Sequence, residues 1–394
     1  MSPLADELAT QRRKAMRALL AKPLLTAGVD DETLRLVRRH AADLREWQAA
    51  ETGRRLVVSA ESARLFKTAP SLADDTHPAR DARSKAPFGR RRYVLLCLAL
   101  AVLERADAQV TLGRLAEGVL AAAGEPELVA AGVSFTLSRR DERSDLVAVV
   151  RLLLSWGVLE RVAGEEDAYL GGSGDVLYDV RRRVLASLLT TGRGPSTVTA
   201  DDFEHRLREL SHETVADVDD LRNRALRHRL TRRLLDDPVI YYDELTDDER
   251  AYLTSQRHAI TRRIEDATGL VAEVRAEGIA MVDPDDELTD VRMPEQRTDG
   301  HVTLLVAEHL AAQSGPVPIG ELRAYVKKIA REHEAYWRRG VTEPGADAEL
   351  LAIALDKLRA LRLVACGDAS TVAALPAIAR YKVDAPTVRN GSAR

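Results

Sequence analysis

Cysteine is nearly missing from this chain, with two in 394 residues, Cys97 and Cys366. Neither has a second cysteine at CxxC spacing. That excludes a disulfide framework and a thiolate zinc ribbon, and both side chains are expected as reduced core residues. Aromatic residues are scarce at 4%, so the cores must be built mainly from Leu, Val and Ala. Lysine is rare too, eight against fifty arginines, and with that bias an arginine alone carries little functional information. Long hydrophobic runs are also lacking. "GRRRYVLLCLALAVLERAD" opens like a membrane anchor, but its apolar run, Tyr93 to Leu103, is eleven residues, about half of a bilayer span. "MSPLADELATQRRKAMRALL" offers no signal-type apolar stretch and no cleavage site. The expectation is a soluble cytoplasmic protein in which that run is a buried helix.

Catalytic patterns are missing as well. "GGSGD" at Gly171 is glycine-rich, but no Lys-Ser/Thr follows it, so it reads as the tip of a wing and not as a phosphate cradle. "HEAYW" begins like a zincin helix, yet Trp337 stands where the second histidine ligand is required. There is no GxSxG elbow. The acidic run "DPDDELTD" follows a hairpin whose "EVRAEG" has Arg275 where a metal nuclease usually places lysine, and it reads as a solvated linker. No catalytic residue, cofactor or metal ligand is expected. The formal net charge of −4 argues against a protein that coats nucleic acid, while leaving local basic faces possible.

What is present is a mainly helical sequence with short β-hairpins, long enough for roughly two to four compact units. "TLGRLAEGVLAAAG" aligns Leu112, Leu115, Val119 and Leu120 on one helical face. In "SRRDERSDLVAVVRLLLSWG", Ser138 and Asp141 have capping-box spacing, Leu146, Val149, Val150, Leu153 and Leu154 form a stripe, and Gly157 ends the helix. "VLERVAG" and "DVLYDV" then read as paired strands, which is the element order of a winged-helix unit. The order returns in "HVTLLVAEHLAAQ", "IGELRAYVKKIAREH" and "DAELLAIALDKLRALRLVAC". A second repeat matches "LLAKPLLTAGVDDETL" to "LLDDPVIYYDELTDDERAYL". Pro23 pairs with Pro238 and Thr52-Gly53 with Thr268-Gly269, and a two-residue insertion aligns Asp30 with Asp247. The later copy carries a capping box, Thr246 to Glu249.

The expected architecture is therefore a set of tandem winged-helix units, internally duplicated in the order A, B, A′, B′. Residues 1–70 form an N-terminal helical or winged-helix-like unit, 86–192 a winged-helix unit, 205–285 a winged-helix-like unit and 298–386 a C-terminal winged-helix unit. Linkers are read at "TAPSLADDTHPARDARSKAPFG", "TTGRGPSTVTADD" and "DPDDELTDVRMPEQRTDG". The two halves should superimpose by a roughly two-fold rotation.

Two basic stretches are candidate DNA contacts. In "RNRALRHRLTRR", a helix would put Arg222, Arg229 and Arg233 on one side with Arg232 beside them, a stripe able to follow phosphates. The competing reading is a solvated face balanced by the acidic cluster Asp236–Glu249. In "SRRDERSD", Arg139, Arg140 and Arg143 open the third helix of unit B, the helix that enters the major groove in winged-helix DNA binders. Asp141, Glu142 and Asp145 dilute that charge, which limits it to weak backbone contact.

Together "LLAKPLLTAG", "GRRRYVLLCLALAVLERADAQVTLGRLAEGV", "DDPVIYYDELTDDERAYL", "GLVAEVRAEGIAMVDPDDELTD" and "LPAIARY" resemble the MukE-like subunit of type II Wadjet systems, over nearly the whole sequence. The resemblance implies a non-catalytic, KITE-like subunit of a bacterial condensin-like SMC complex that acts against plasmid DNA. Its implied partners are a kleisin subunit, an SMC ATPase, indirectly a toprim-type nuclease, and double-stranded DNA bound without sequence preference, in a nucleoid-associated setting and away from membranes. Simple MukE-type chains carry two winged-helix units and pair as homodimers, whereas four units are read here, so either a pseudo-dimer within one polypeptide or a homodimer is implied. The alternative function is a free-standing winged-helix transcriptional regulator, which would need a recognition helix with side chains able to read bases.

Overall fold

The computed structural model describes residues 3–67, 74–188, 197–199, 202–211, 219–293, 295–367 and 370–382. Most of the linker "TTGRGPSTVTADD", the first residues of "TAPSLADD" and the middle of the turn "GDAST" lie outside the described residues. The protein divides into two compact units, residues 1–216 and 217–394. It is mainly helical with small antiparallel sheets.

In the first unit the order is α1 (Pro3–Ala21), β1 (Leu24–Thr26), α2 (Asp31–Arg39), α3 (Ala41–Trp47) with a π-turn at Gln48–Thr52, β2 (Leu56–Val58) and β3 (Ser62–Leu65). There follow α4 (Arg90–Arg105), β4 (Gln109–Thr111), α5 (Leu112–Ala123), α6 (Pro126–Ala130), α7 (Arg140–Ser155), β5 (Leu159–Ala163), α8 (Glu166–Gly171), β6 (Leu177–Val180), α9 (Arg182–Ser187) and α10 (Phe203–Ser211). The second unit contains α11 (Asp219–Asp236), β7 (Ile240–Tyr241), α12 (Asp247–Thr268), β8 (Val271–Val274) and β9 (Gly278–Val282). It continues with α13 (Arg297–Ala311), β10 (Val317–Pro318), α14 (Ile319–Glu332), α15 (Ala346–Ala360), β11 (Val364–Cys366) and β12 (Thr371–Ala374).

The strands form four three-stranded antiparallel sheets, ordered β1-β3-β2, β4-β6-β5, β7-β9-β8 and β10-β12-β11. In each, the third strand is central and the second is an edge. The helix before that edge strand ends each time on a left-handed residue: Gly53, Gly157, Gly269 and Arg362, with φ of 67°, 67°, 78° and 54°. Such a residue reverses the backbone within two positions, and glycine adopts it without a β-carbon clash. The bonding around it repeats as well. Thr52 and Thr268 donate their hydroxyls to the carbonyls of Gln48 and Ile264, at 2.7 and 2.6 Å. They accept from the amides of Arg54 and Leu270, both at 3.1 Å. Val158 N–H reaches Leu153 O at 3.0 Å, and Leu363 N–H reaches Leu358 O at 2.8 Å.

Buried positions agree with this matching. Leu95, Ala99, Leu103, Leu115 and Val119 fill the same places on α4 and α5 as Val302, Val306, Leu310, Leu322 and Val326 on α13 and α14. The insertion in the A′ sequence is one residue, not two. With Pro238 matched to Pro23 and Thr268 to Thr52, the extra residue falls between β7 and α12, and the N-cap match is Asp30 to Thr246. Thr246 and Glu249 form the expected capping box. The second unit runs as one helix through Asp247–Thr268, where the matched stretch of the first is interrupted at His40.

The apolar run at Tyr93–Leu103 is α4, buried through Leu95, Leu96, Leu98, Ala99 and Leu103, and no helix among the described residues is long and apolar enough to cross a membrane. Its leading arginines clamp a neighbouring helix. Arg92 Nε donates to Asp145 of α7 at 2.7 Å, and Arg91 donates to the other oxygen of the same nearly buried carboxylate. Three expectations need correction. Cys97 is exposed, because it falls between the buried positions 96 and 98 on the outer side of α4, and Cys366 is exposed at the end of edge strand β11. Ser138 and Asp141 form no capping box, since α7 begins one residue late with Arg139 as its cap and Arg139 pairs with Asp141 at 3.2 Å. The supposed wing "GEEDAYLGGSG" contains α8, tied down by Asp167, which accepts from Arg83 at 2.8 Å and from Arg151 at 3.0 Å.

Within each compact unit the left-handed turn also meets the preceding sheet. A β-carbon at Gly157 would lie 2.3 Å from Thr26 Oγ1, so only glycine fits there. At the matching place in the second unit, Tyr241 donates its hydroxyl to Arg362 O at 2.7 Å. Arg362 also donates to Val239 O at 3.1 Å and pairs with Glu244 and, at 3.4 Å, with Asp237. Burial raises the Asp237 carboxyl above its ordinary value, opposed by its bond to Arg233.

Two stability outcomes follow. Leu95→Asp puts an unpaired charge into the α4–α7 core at a cost of several kcal/mol, so circular dichroism should show the first unit unfolded at 25 °C. At position 362 the usual order of glycine and alanine should invert. Both Arg362→Gly and Arg362→Ala lose the ion pairs, but Ala keeps the left-handed strain, so the Gly variant should be more stable by about 1 kcal/mol in urea titration.

Candidate functional site

The arginine stripe on α11 exists as spaced, and its acids come from the same unit. Arg229 forms an ion pair of 2.9 Å with Glu249, whose other oxygen serves the α12 capping box; the pair is not aligned as a hydrogen bond. Arg233 is mostly buried and donates to Asp237 and Glu244, each at 3.0 Å. Arg222 is half exposed and stands 3.4 Å from Asp219, one turn earlier. Arg232 lies half-buried beside them. The acidic cluster Asp236–Glu249 therefore balances Arg229 and Arg233 directly. On α7, Arg139 is held by Asp141, Arg140 is exposed, and Arg143 is half-buried with its Nε unpartnered. The two stretches lie in different compact units and are not one surface within either.

A cationic face that the arginine-based reading passed over lies on α14. Lys327, Lys328 and Arg331 are exposed there and border a shallow concavity with Ala324 and Glu332. Lys328 has a loose contact of 3.8 Å with Glu332, while Arg323, one turn before Lys327, is paired with Asp347 at 2.8 Å. The backbone makes a further turn past α14, with Trp337 N–H bonded to His333 O at 3.1 Å, and projects Tyr336 with 88% of its surface exposed. The sequence did hold a signal: Lys327 and Lys328 are two of only eight lysines.

The histidine of "HEAYW" is part of a ring cluster. His333 stacks on Trp337 with centroids 5.5 Å apart and lies 4.8 Å from His301, whose Nδ1 accepts from Trp337 Nε1 at 3.1 Å. No group of three or more His, Cys, Asp or Glu able to hold a metal occurs among the described residues. A cleft of about 250 Å³ in the second unit is lined by Leu234, Met281, Leu363 and Tyr381 with Glu273, Arg275 and Arg380. Of its charged groups, Arg275 and Arg380 both bond Glu273.

A family model described as "Protein of unknown function (DUF2398)" matches residues 16–384. The chain belongs to the DUF2398 family. No curated protein and no solved structure matches it. The DUF2398 match takes in both compact units, so the repeated helix–sheet pattern belongs to the whole of the matched stretch.

The ring cluster gives a pH dependence of defined sign. Burial, and then the charge of His333, hold His301 below its ordinary value of 6.5. Below pH 6.5 the unfolded polypeptide takes up a proton that the folded His301 resists, so stability falls as pH drops from that value toward the folded pKa. In a W47F/W156F background, the Trp337 fluorescence melt should move to lower temperature between pH 7.5 and 5.5. His301→Gln should flatten that shift.

Proposed function

We propose that this protein is a non-catalytic, KITE-like subunit of a bacterial condensin-like SMC complex, binding a kleisin and touching duplex DNA in defence against plasmids. The observation that carries this reading is the fourfold recurrence of one order: helix, strand, helical segment (between β7 and α12 only the 3-10 turn Tyr242–Glu244), helix, edge strand, central strand. That is the order of a winged-helix unit, it occurs twice in each compact unit, and it supports the A, B, A′, B′ duplication. It also supports the resemblance to the MukE-like subunit of type II Wadjet systems, in which the protein does its work as a binding scaffold. A free-standing regulator fits less well. The start of α7, where base-reading side chains would sit, has Arg139 engaged with Asp141, and Arg91 and Arg92 converge on Asp145.

On this reading each half of the protein takes the place of one subunit of a two-unit homodimer, so a single copy is a pseudo-dimer. Divergence between the halves then lets each meet a different part of the kleisin. The long β5–β6 connection, folded as α8 in the first half, has no counterpart in the short connection between β11 and β12. Co-expression with its untagged genomic neighbours and native mass spectrometry test this. The expected species holds one copy of this protein per kleisin, together with an SMC ATPase. Two copies per kleisin would overturn the pseudo-dimer. Purification without a kleisin, combined with selection of one operator sequence from a random duplex pool, would replace the whole reading with the regulator.

A further inference from the structure

We propose that the outward face of α14, formed by Lys327, Lys328 and Arg331 around Ala324, is a binding surface for the phosphate backbone of double-stranded DNA. Three observations converge on it. Lys327 and Arg331 are one helical turn apart, with Lys328 beside them, and all three side chains are exposed. Neighbours at that spacing on a helix present a compact row of charge. Ala324, one turn before the two lysines, leaves the near end of the row low, and the shallow concavity it lines with them is open to a phosphate oxygen.

The second observation is how little of this charge the protein uses itself. Arg323 of the same helix is paired with Asp347, Arg229 and Arg233 of α11 are committed to Asp237, Glu244 and Glu249, and Arg91 and Arg92 of α4 to Asp145. Within the α14 row, by contrast, the closest acid is Glu332, 3.8 Å from Lys328, and Lys327 acts on Asp347 only as a secondary charge behind Arg323. The third is the comparison with α5, the matching helix of the first unit. There Leu120, Ala121 and Gly124 stand where α14 has Lys327, Lys328 and Arg331, so the basic face is a property of one copy and not of the repeat. Tyr336, one turn beyond the helix and almost fully exposed, adds a planar group able to lie against a sugar or a base edge.

Duplex DNA is favoured over an acidic protein segment because nothing at this face reads a particular shape. The face is a row of flexible cations with an open concavity and no apolar pocket for an anchoring side chain. This inference rests on the proposed function for its choice of polyanion, and it places that contact on α14 and not on α11 or α7.

The test uses the full-length protein and a fluorescein-labelled 40-bp duplex of random sequence, with anisotropy read from 50 to 300 mM KCl. Lys327→Ala/Lys328→Ala/Arg331→Ala should weaken binding at least tenfold at 50 mM. The slope of log K against log salt should become shallower by about 2–3, because each lost phosphate contact removes roughly 0.9. Arg114→Ala on α5 should change neither. Lys327→Gln/Lys328→Gln/Arg331→Gln, which keeps polar, flexible side chains of similar helix propensity, should behave as the alanine variant does and keep the wild-type melting curve. Unchanged affinity and slope in both triple variants would overturn the site while leaving DNA binding elsewhere on the protein. A triple variant that keeps DNA but loses co-purification of the kleisin would overturn it in favour of an acidic peptide. Absence of any DNA binding by the wild-type protein would remove both this site and the DNA clause of the proposed function, and native mass spectrometry would still decide the kleisin clause.

Discussion

The fold depends on one backbone device: a left-handed residue that carries a long helix straight into the edge strand of a small sheet. Gly53, Gly157, Gly269 and Arg362 all occupy it. A three-stranded sheet of two- to five-residue strands cannot bury its own inner face, so it must lie across the helices it interrupts. The reversal accomplishes this by bringing Val158 and Leu363 back under the last turn of α7 and α15, bonded to Leu153 and Leu358. The same turn also forms the contact with the preceding sheet, through Thr26 at Gly157 and through Tyr241 at Arg362. Packing of a sheet on its own helices and packing against the preceding sheet of the same compact unit therefore share one residue. A side chain is tolerated there in the second half because Asp237, Glu244 and Val239 O are arranged to receive its guanidinium.

The distribution of charge follows from a related constraint. Aromatic residues are few, so helices here are locked less by large rings than by arginines reaching across to carboxylates. Arg91 and Arg92 on Asp145, Arg229 on Glu249, and Arg233 with Arg362 on Asp237 and Glu244 are all of this kind. Most join elements distant in sequence, and several involve carboxylates that are nearly buried, where an arginine's fixed fork satisfies more than one oxygen. An arginine-rich segment in such a protein is therefore first of all a structural adhesive. Some lysines serve in the same way, Lys22 on Asp30 and Lys357 on Glu295, whereas the adjacent pair on α14 has only the loose contact of Lys328 with Glu332.

This distinction explains what is legible in the sequence and what is concealed there. Helices α4, α5, α7, α12 and α13 follow from apolar spacing, and the ends of α7 and α12 follow from Gly157 and Gly269, because periodicity and glycine stops are local. The match of Thr52-Gly53 to Thr268-Gly269 is readable for the same reason, and the structure adds the hydroxyl bonding that makes it one motif. Hidden features are those set by distant partners. Nothing near Asp167 announces that Arg83 and Arg151 will pin α8 across the expected wing. The cluster Asp236–Glu249 is legible beside the α11 stripe, but not that Arg233 takes Asp237 and Glu244 while Arg229 takes Glu249. The stripe Arg222–Arg233 does lie on one side of a helix, but which of its members keep free charge depends on α12 and β7. Cys97 shows the same limit at shorter range, since a run of eleven apolar residues cannot all face inward on a helix, and the thiol is on the outer side.

The proposed duplication, with divergence between its halves, connects these features to the proposed binding role. Two copies that keep the same reversal and the same buried positions can change their surfaces without disturbing the fold. On that proposal the two halves have changed in opposite directions. The first half has committed its β5–β6 connection to a docked helix whose acids, Glu166 and Asp167, are engaged by Arg161, Arg83 and Arg151. The second half keeps that connection short and instead lays Lys327, Lys328 and Arg331 on α14. Over the whole sequence arginine outnumbers lysine fifty to eight. Three cations at the positions equivalent to Leu120, Ala121 and Gly124, two of them the scarce lysine, run against that composition. It is the kind of change expected where two like scaffolds meet two unlike partners.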